Sequence, residues 1–486
     1  MTRLWRGVAI VAIAFAVAAC GGGDDDEGTT SEAAATSAAA TTAAAETTAA
    51  AETSAADASA ETTAAETTAE EATSAPAEDA EPVTLTLWDR DILKEDWAKQ
   101  VIEEYQAANP HVTIEYVLQP SDIAQADQAF KAAGIAENGP DIATLYAGGM
   151  VNSFADFLEP MTDAYSEDEI AQLSGWDTVR QGFAADGELL AVPFGAGLYF
   201  DVFCNTDNLQ KAGVTMDAPP QTWEAFLDVM QQVKDGGQLP VMMGNQEGYA
   251  GAWIMGALVG GQIGTDGFFS MLSGDTPIND PAMVTAYEKY AELFSRKLTN
   301  EDAGALTNGD GENKFFAGEG ACFISGDWQD QNLIDNIGEG KVITFPIPVL
   351  EGSTRLGART GGTASAIAVT KYSDAKDEAI KFVKWLTSKE TLDSYVETNQ
   401  IEPSNHVDAD TSVIKNPLLR TQADQTAAAS AQGDDFLIFP FDSIMPQEVN
   451  DLFYRMNAAV FTGQEDPQSA ADQLQQAYED YKESQP

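Results

Sequence analysis

The apolar positions of the chain switch between two spacings from residue 83 onwards. In Val83–Trp88, β-forming residues alternate with threonine, which predicts a strand that ends at the polar Asp89. The next stretch, 92–108, places large apolar residues at helical spacing and stops at Asn109-Pro110, which predicts a helix. The alternation continues with predicted strands at 112–117 and 141–146 and a predicted helix at 122–136. This order predicts an α/β fold, in which helices cover a mostly parallel sheet and ligands bind beyond the carboxyl ends of the strands.

The later part of the chain predicts elements of the same two kinds. Asp186-Gly187 lies between two apolar runs, so residues 183–193 are predicted to form a hairpin. Thr222 is the predicted N-cap of a helix that extends to Val233. The remaining predicted elements are strand 198–205, helix 281–296, a strand that ends before Ser325, strand 364–369 and helix 374–388.

The first twenty residues are typical of an export signal. Arg3 and Arg6 precede a short apolar run, Val8–Val17, which is shorter than the roughly 20 residues of a membrane-spanning helix. Val17-Ala18-Ala19-Cys20 resembles the lipobox of bacterial lipoproteins, in which the cysteine becomes the first mature residue and carries a lipid. An ordinary signal peptide and an N-terminal membrane anchor are the alternatives. The lipoprotein interpretation predicts an exported protein that is lipid-anchored at Cys20 to the outer face of the cell membrane.

Residues 21–82 are of low complexity and consist mainly of Ala, Thr, Ser and Glu. The segment has 15 acidic residues, no basic ones and few large apolar side chains, so nothing offsets the entropy lost on ordering it. We expect a disordered tether that holds a folded module away from the membrane. A helical conformation of its alanine runs is the alternative, which the frequent Thr and Ser disfavour.

The charge of the chain restricts its partners. The 486 residues include 25 Lys and Arg against 78 Asp and Glu, a formal net charge of −53, of which residues 83–486 carry −40. Nucleic acid is not an expected partner, because its binding needs basic patches. The two histidines disfavour a zinc site, and neither a phosphate-binding loop nor a hydrolase motif occurs, so we expect no metal, no cofactor and no catalytic residue. The acidity fits a solvated surface or a cationic ligand.

A series of short motifs resembles family 1 extracellular solute-binding proteins of ABC transporters. The motifs match in order from about residue 83 to the C-terminus, and their order makes the set specific. One departure is Glu224, which lies one place earlier than in the family's P-x-T-W-x-E-F motif. The matching residues are Asn109-Pro110-x-Val112, Gly139-Pro140-Asp141-Ile142, Asp186-Gly187 with Ala191-Val192-Pro193, Pro220-x-Thr222-Trp223-x-x-Phe226, Phe316-Ala317 with Gly326-x-Trp328, Gly361-Gly362 and Ala379-x-x-Phe382-x-x-Trp385-Leu386.

The resemblance implies a two-lobed α/β fold, in which crossing strands join two lobes that close on a ligand. The implied first lobe comprises residues 83–197 and about 342–395, and the implied second lobe comprises about 198–341 and 396–486. Ligands of the family are mostly sugars or oligosaccharides, whereas relatives of similar fold bind iron, polyamines or glycerol phosphates. The resemblance therefore implies a monomeric receptor, not an enzyme, that passes a sugar to the membrane subunits of an ABC permease.

Sugar binding requires flat aromatic rings and polar groups that bond hydroxyls, which singles out several positions. Trp88 and Asp89 end the first predicted strand, Tyr146 ends the third, and Trp328 with Asp327 occupies the family's G-x-W position. Core packing is the alternative for each ring, and turn capping is the alternative for Asp327. The complete set of expected ligand-binding residues is Trp88, Asp89, Tyr146, Trp253, Asp327, Trp328, Gly361, Gly362, Thr363, Phe441 and Asp442.

Two further cysteines, Cys204 and Cys322, lie in predicted strands. An exported protein permits a disulfide between them, and two buried free thiols are the alternative.

Three functions compete with the sugar receptor. The first is the same receptor with a cationic ligand such as a polyamine, which the negative charge suggests. The second is a glycoside hydrolase with two carboxylates in a cleft, although no motif singles out such a pair. The third is an adhesion module, which only the tether suggests.

Overall fold

The computed structural model of the protein describes residues 81–120, 123–184, 186–197, 199–363, 365–433 and 436–484. The predicted signal peptide, the lipidation at Cys20 and almost the whole of the predicted tether lie outside these residues. In the described part of the chain, no helix combines the length and apolar character that a membrane span requires.

The strands are short and are separated mostly by helices. They are β1 (Val83–Asp89), β2 (Val112–Leu118), β3 (Ile142–Tyr146), β4 (Val192–Phe194), β5 (Phe200–Asn205), β6 (Val241–Met242), β7 (Cys322–Gly326), β8 (Val342–Pro346), β9 (Arg359–Thr360), β10 (Ser365–Val369) and β11 (Leu437–Ile438).

The first seven helices are α1 (Glu95–Ala108), α2 (Ile123–Ala136), α3 (Gly149–Ser153), α4 (Glu167–Ile170), α5 (Thr206–Lys211), α6 (Trp223–Asp235) and α7 (Tyr249–Ser273). The later helices are α8 (Pro281–Ser295), α9 (Asn308–Phe316), α10 (Asp330–Ile337), α11 (Lys376–Leu386), α12 (Lys389–Asn399), α13 (Pro417–Ser430), α14 (Phe441–Ile444), α15 (Gln447–Phe461) and α16 (Pro467–Ser484). The predicted cap of α6 is confirmed, because the Thr222 hydroxyl accepts a hydrogen bond from the Ala225 amide.

The strands form two larger sheets, each with its own core. The first sheet has five strands in the order β2-β1-β3-β10-β4, and the second has four in the order β6-β7-β5-β8. A separate parallel pair joins β11 to β9. Buried side chains from 85–194 and 366–395 pack around the first sheet, and a second cluster from 200–358 and 438–478 packs around the second. We call these two parts the β1 half and the β5 half.

The sheets are mixed rather than mostly parallel. β1 runs parallel to β2 and β3, but β10 is antiparallel to both β3 and β4. In the second sheet only β6 and β7 are parallel, and β5 is antiparallel to both of its neighbours. Alternation along a sequence predicts strands but does not reveal their direction, and the antiparallel strands β5 and β10 are those that the chain enters from the other half.

Two sequence predictions need correction. The predicted return of the chain to the first lobe near Val342 is too early, because β8 pairs with β5 in the second sheet, and the next strand of the first sheet is β10. The predicted hairpin at 183–193 is reduced to one isolated bridge between Arg180 and Leu189, since residues 181–183 form a 3₁₀ turn. In both cases the apolar pattern identified extended segments but not their partners.

Candidate ligand-binding cleft

A cleft of about 680 Å³ is lined by residues of both halves. This volume lies within the range of about 300–1,000 Å³ that is usual for small-molecule sites. The β1 half contributes Arg90, Asp91, Ile92, Lys94, Tyr146, Ser365 and Tyr395. The β5 half contributes Phe200, Tyr249, Trp253, Asp327, Trp328, Asp442, Ser443 and Tyr454, and the connecting segment after α12 contributes Ile401 and Glu402.

Five residues predicted from the sequence come together in this lining. They are Tyr146, Trp253, Asp327, Trp328 and Asp442. Tyr146 ends β3 and Asp327 follows β7, so both lie where a strand ends, as expected for a ligand site in an α/β fold.

Aromatic rings form one wall of the cleft. The Trp253 ring stacks on Phe200 with centroids 5.3 Å apart, and the Trp328 ring meets Trp253 edge to face at 5.4 Å. Tyr249, one helical turn before Trp253 on α7, lies 5.7 Å from it and 6.1 Å from Tyr454. We call Phe200, Tyr249, Trp253, Trp328 and Tyr454 the aromatic face. Rings that brace one another keep fixed positions, which suits them to stack on a flat apolar ligand surface.

Two buried carboxylates adjoin the aromatic face. Asp327 is 1% exposed, and its Oδ2 accepts a hydrogen bond from the Tyr199 amide at 3.3 Å. Asp442 accepts a hydrogen bond at Oδ2 from the Tyr454 hydroxyl at 3.1 Å. Burial raises the pKa of Asp442 to about 6, against the hydrogen bond from Tyr454, which lowers it.

Glu402 is a cleft residue that the sequence did not indicate. Burial raises its pKa to about 8, with a further contribution from Asp327, while Lys94 opposes the shift. Its carboxyl group packs directly on backbone, since a Cβ atom at Gly197 would lie 2.2 Å from Oε2 and one at Gly195 would lie 2.4 Å from the carboxyl carbon. These two glycines therefore allow a carboxyl group to reach the cleft between β4 and β5.

The opposite wall, from the β1 half, is charged rather than aromatic. Arg90 forms an ion pair with Asp127 at 2.6 Å, and Lys94 forms one with Asp91 at 3.0 Å. Asp91 and Lys94 both have positive φ, 62° and 60°, a conformation that costs energy outside glycine and is found at functional sites. We call Arg90, Asp91 and Lys94 the charged face.

Two predicted residues on β1 do not line the cleft. Asp89 is fully buried, and its carboxylate accepts hydrogen bonds from the Thr144 and Tyr116 hydroxyls and from the amides of Ile92 and Leu93. It thus fixes the loop that carries the charged face. Trp88 is half-buried and packs against the core of the β1 half.

The remaining four predicted residues also lie outside the lining. Gly361 and Gly362 have φ of 148° and 143°, and the Gly361 amide donates to the Ile438 carbonyl, so they shape a segment that connects the second sheet to β10. Thr363 is buried and lies against Gly175. Phe441 stacks on Phe268 at 4.5 Å in the core of the β5 half.

A disulfide joins Cys204 on β5 to Cys322 on β7. The two residues are direct partners in the antiparallel ladder, with Cα atoms 4.0 Å apart. The bond links positions 118 residues apart in the sheet that carries Phe200 and precedes Trp328.

Within the described ranges, no group of three or more His, Cys, Asp or Glu side chains is arranged to hold a metal ion.

Comparison with known proteins places this architecture among solute-binding proteins. The chain is 23% identical over 295 residues to the maltotriose-binding protein of Pyrococcus abyssi, a match that spans 60% of this chain and 59% of the relative. It resembles a structure from work on xylan utilisation by Caldanaerobius polysaccharolyticus, with a TM-score of 0.69, 22% identity, and coverage of 81% of this chain and 99% of the other. The GacH receptor of Streptomyces glaucescens, studied with acarbose, matches with a TM-score of 0.63, 20% identity, and coverage of 84% and 100%.

At these identities the two structures show a common two-lobed fold. The family match is more specific, since residues 92–392, more than half of the chain, fit the family described as bacterial extracellular solute-binding protein. The chain belongs to this family of bacterial extracellular solute-binding proteins.

Proposed function

We propose that this protein is an exported receptor that captures a sugar or oligosaccharide in its cleft and delivers it to the permease of an ABC importer. The observation that carries the proposal is the aromatic face, which lies beside Asp327 and Asp442 in a cleft of about 680 Å³. A sugar has apolar C–H faces that stack on rings and hydroxyl groups that donate to carboxylates. The relative from Pyrococcus abyssi, which is named for maltotriose, supports this ligand class.

The division into two halves suggests the mechanism. A ligand on the aromatic face gains contacts with the charged face only when the two halves close, so binding shifts the population towards the closed state. We infer a first lobe built on β1–β4 and β10 and a second built on β5–β8, with connecting segments after β4, after β8 and after α12. The permease would then recognise the closed form.

The N-terminal residues complete the proposed function. We infer that Cys20 carries a lipid, and that the acidic segment 21–82 tethers a monomeric receptor to the outer face of the membrane. Palmitate labelling of wild type and of Cys20→Ala in a bacterial host tests the anchor. Loss of label and release of the variant into the medium support it, whereas unchanged membrane association of the variant contradicts it.

A thermal-shift screen of the signal-free protein tests the sugar assignment. Monosaccharides and oligosaccharides form one panel, and glycerol phosphates form the opposing panel. A ligand at about 100 times its Kd stabilises the folded state by about 2.7 kcal/mol, which raises the melting temperature by a few degrees. A sugar that produces this shift supports the proposal if calorimetry then confirms that the sugar binds. A shift with glycerol phosphates alone contradicts it.

A glycoside hydrolase would use cleft carboxylates of the same kind. Incubation of the protein with the sugar that binds, followed by chromatography of the products, separates the two functions. The receptor leaves the sugar intact, whereas an enzyme releases shorter products.

A further inference from the structure

The charges of the cleft are unevenly compensated. The cations among its described lining residues are Arg90 and Lys94, both on the charged face, where Asp127 and Asp91 pair with them. Beyond Asp91, the lining carries the carboxyl groups of Asp327, Glu402 and Asp442. Lys94 attracts Glu402, but Asp442 forms no ion pair with any residue that the structure describes.

Asp442 is buried beside the tyrosines of the aromatic face. It is 8% exposed, its Oδ2 accepts a hydrogen bond from the Tyr454 hydroxyl, and the backbone amides of Asp442 and Ser443 also favour its charged form. Within the described part of the chain, its buried Oδ1 has no hydrogen-bond partner. A buried carboxylate in this condition is destabilised unless a ligand supplies a donor or a positive charge.

The surroundings of Asp442 suit a cation. Tyr454, which bonds Asp442, packs edge to face against Tyr249, and Tyr249 contacts Trp253. Faces of aromatic rings attract cations, and a carboxylate at the edge of such rings adds a direct charge partner. A neutral hydroxyl could fill the empty hydrogen-bonding position at Asp442, but it would leave the negative charge uncompensated.

We propose that the saccharide bound by this cleft carries a protonated amino group, which pairs with Asp442 beside the tyrosines of the aromatic face. This inference rests on the proposed sugar-receptor function and names the ligand class within it. It differs from the polyamine hypothesis, because the ligand still needs a sugar ring that stacks on Trp253 and Trp328.

Calorimetry with paired ligands tests the inference. Each pair has the same carbon skeleton and differs only in that the 2-hydroxyl of each sugar ring is replaced by an ammonium group. Glucose against glucosamine, galactose against galactosamine, and cello-oligosaccharides against fully deacetylated chitosan oligosaccharides are suitable pairs, with spermidine as a cation that is not a sugar. We expect the aminated member of at least one pair to bind at least 10-fold more tightly than its neutral partner, and the preference to decrease in high salt.

Two variants locate the preference. Asp442→Asn keeps the size of the side chain and its acceptor for Tyr454, and we expect it to lose most of the preference for the aminated sugar while it still binds the neutral partner. Asp451→Asn is the matched control. It removes the same charge from an exposed position that lies three residues before Tyr454 on α15. Thermal unfolding of each variant verifies that it is folded, and Asp327→Asn provides a second cleft variant if Asp442→Asn does not fold.

Each outcome decides between the two proposals. Equal or tighter binding of the neutral sugars overturns the amino-group inference and leaves the sugar receptor standing. Binding of spermidine without any sugar overturns both. Failure of every aminated sugar to bind overturns the inference, and a preference that survives in Asp442→Asn overturns the role of Asp442.

Discussion

The two walls of the cleft differ in chemistry, since one is aromatic and the other is charged. The wall from the β5 half presents five aromatic rings that brace one another, with centroid distances of 5.3 to 6.1 Å between neighbours. The wall from the β1 half presents Arg90, Asp91 and Lys94, which already form ion pairs with one another or with Asp127. The aromatic face offers contact area without reorganisation, whereas the charged face must exchange existing partners to bind a ligand.

This difference indicates a division of labour between the halves. Preorganised rings give up little side-chain entropy on binding, so the aromatic face should supply most of the affinity. The exposed ion pair between Lys94 and Asp91 contributes about 1 kcal/mol or less, so we expect it to influence closure and orientation rather than affinity.

Removal of a central ring should have the largest effect. We expect Trp328→Ala to weaken binding of the sugar by about 2–4 kcal/mol, roughly 30- to 1,000-fold, because the ring meets both Trp253 and Phe200 in the aromatic face. Calorimetric titration measures the loss. Trp88→Ala is the matched control, since Trp88 lies outside the cleft and its removal should lower stability but leave affinity within about threefold. Equal losses in the two variants would contradict the assignment of affinity to the aromatic face.

Loss of the disulfide tests how much the cross-link between Cys204 and Cys322 stabilises the β5 half. Because the bond closes a chain segment of 118 residues, we expect the double variant Cys204→Ala/Cys322→Ala to lose about 2–4 kcal/mol of its free energy of unfolding. Denaturant titration of this variant and of reduced wild type measures the effect. Affinity for the sugar should change by less than about threefold. An unchanged free energy of unfolding would show that the disulfide does not stabilise the sheet.

The pH dependence of stability reports on Glu402, which lies between the two faces. Its pKa is about 8 in the folded protein and 4.5 in the reference state, mainly because of burial and then because of Asp327. The unfolded chain therefore loses this proton first, and the free energy of unfolding falls by up to about 1.4 kcal/mol per pH unit as pH rises from about 4.5 to 8. In Glu402→Gln this decline is absent, so the variant gains stability relative to wild type across that window. Chemical denaturation at several pH values measures the difference, and two parallel profiles would contradict it.

Neutralisation of the charged face should have the smallest effect. Lys94 is partly exposed and already paired with Asp91, so Lys94→Met should change affinity by less than about fivefold at physiological salt. Titration at low and high salt separates its charge from its packing. A loss as large as that of Trp328→Ala would reverse the proposed division between the two walls.

The sequence predicted the first sheet more accurately than the cleft. Strands β1 to β3 and helix α1 follow simple periodicities, so their positions agree with expectation within a few residues. Asp89 was predicted as a ligand-binding residue, but it lies on the same side of β1 as Leu85 and Leu87, and all three are fully buried.

The residues that the sequence missed are those that tertiary structure brings into the cleft. Tyr249 begins a helix that is apolar all around, so nothing in its spacing marks it as exposed to a ligand. Tyr454 and Glu402 lie in segments more than 70 residues beyond Trp328, and only the chain path between the halves places them beside it. Trp328 and Asp327 were found because a family motif marks them, which local physics alone could not do.

The most direct test of the central claim is an NMR titration of the tryptophan indole N–H groups with the sugar from the screen. Eight tryptophans occur in the chain, and two of them, Trp253 and Trp328, line the cleft. We expect the indole signals of these two to shift or broaden at substoichiometric sugar, while the signal of the buried Trp223, which donates to the Lys289 carbonyl, stays unchanged. Unchanged Trp253 and Trp328 signals at saturating sugar would contradict the claim that the aromatic face is the binding site.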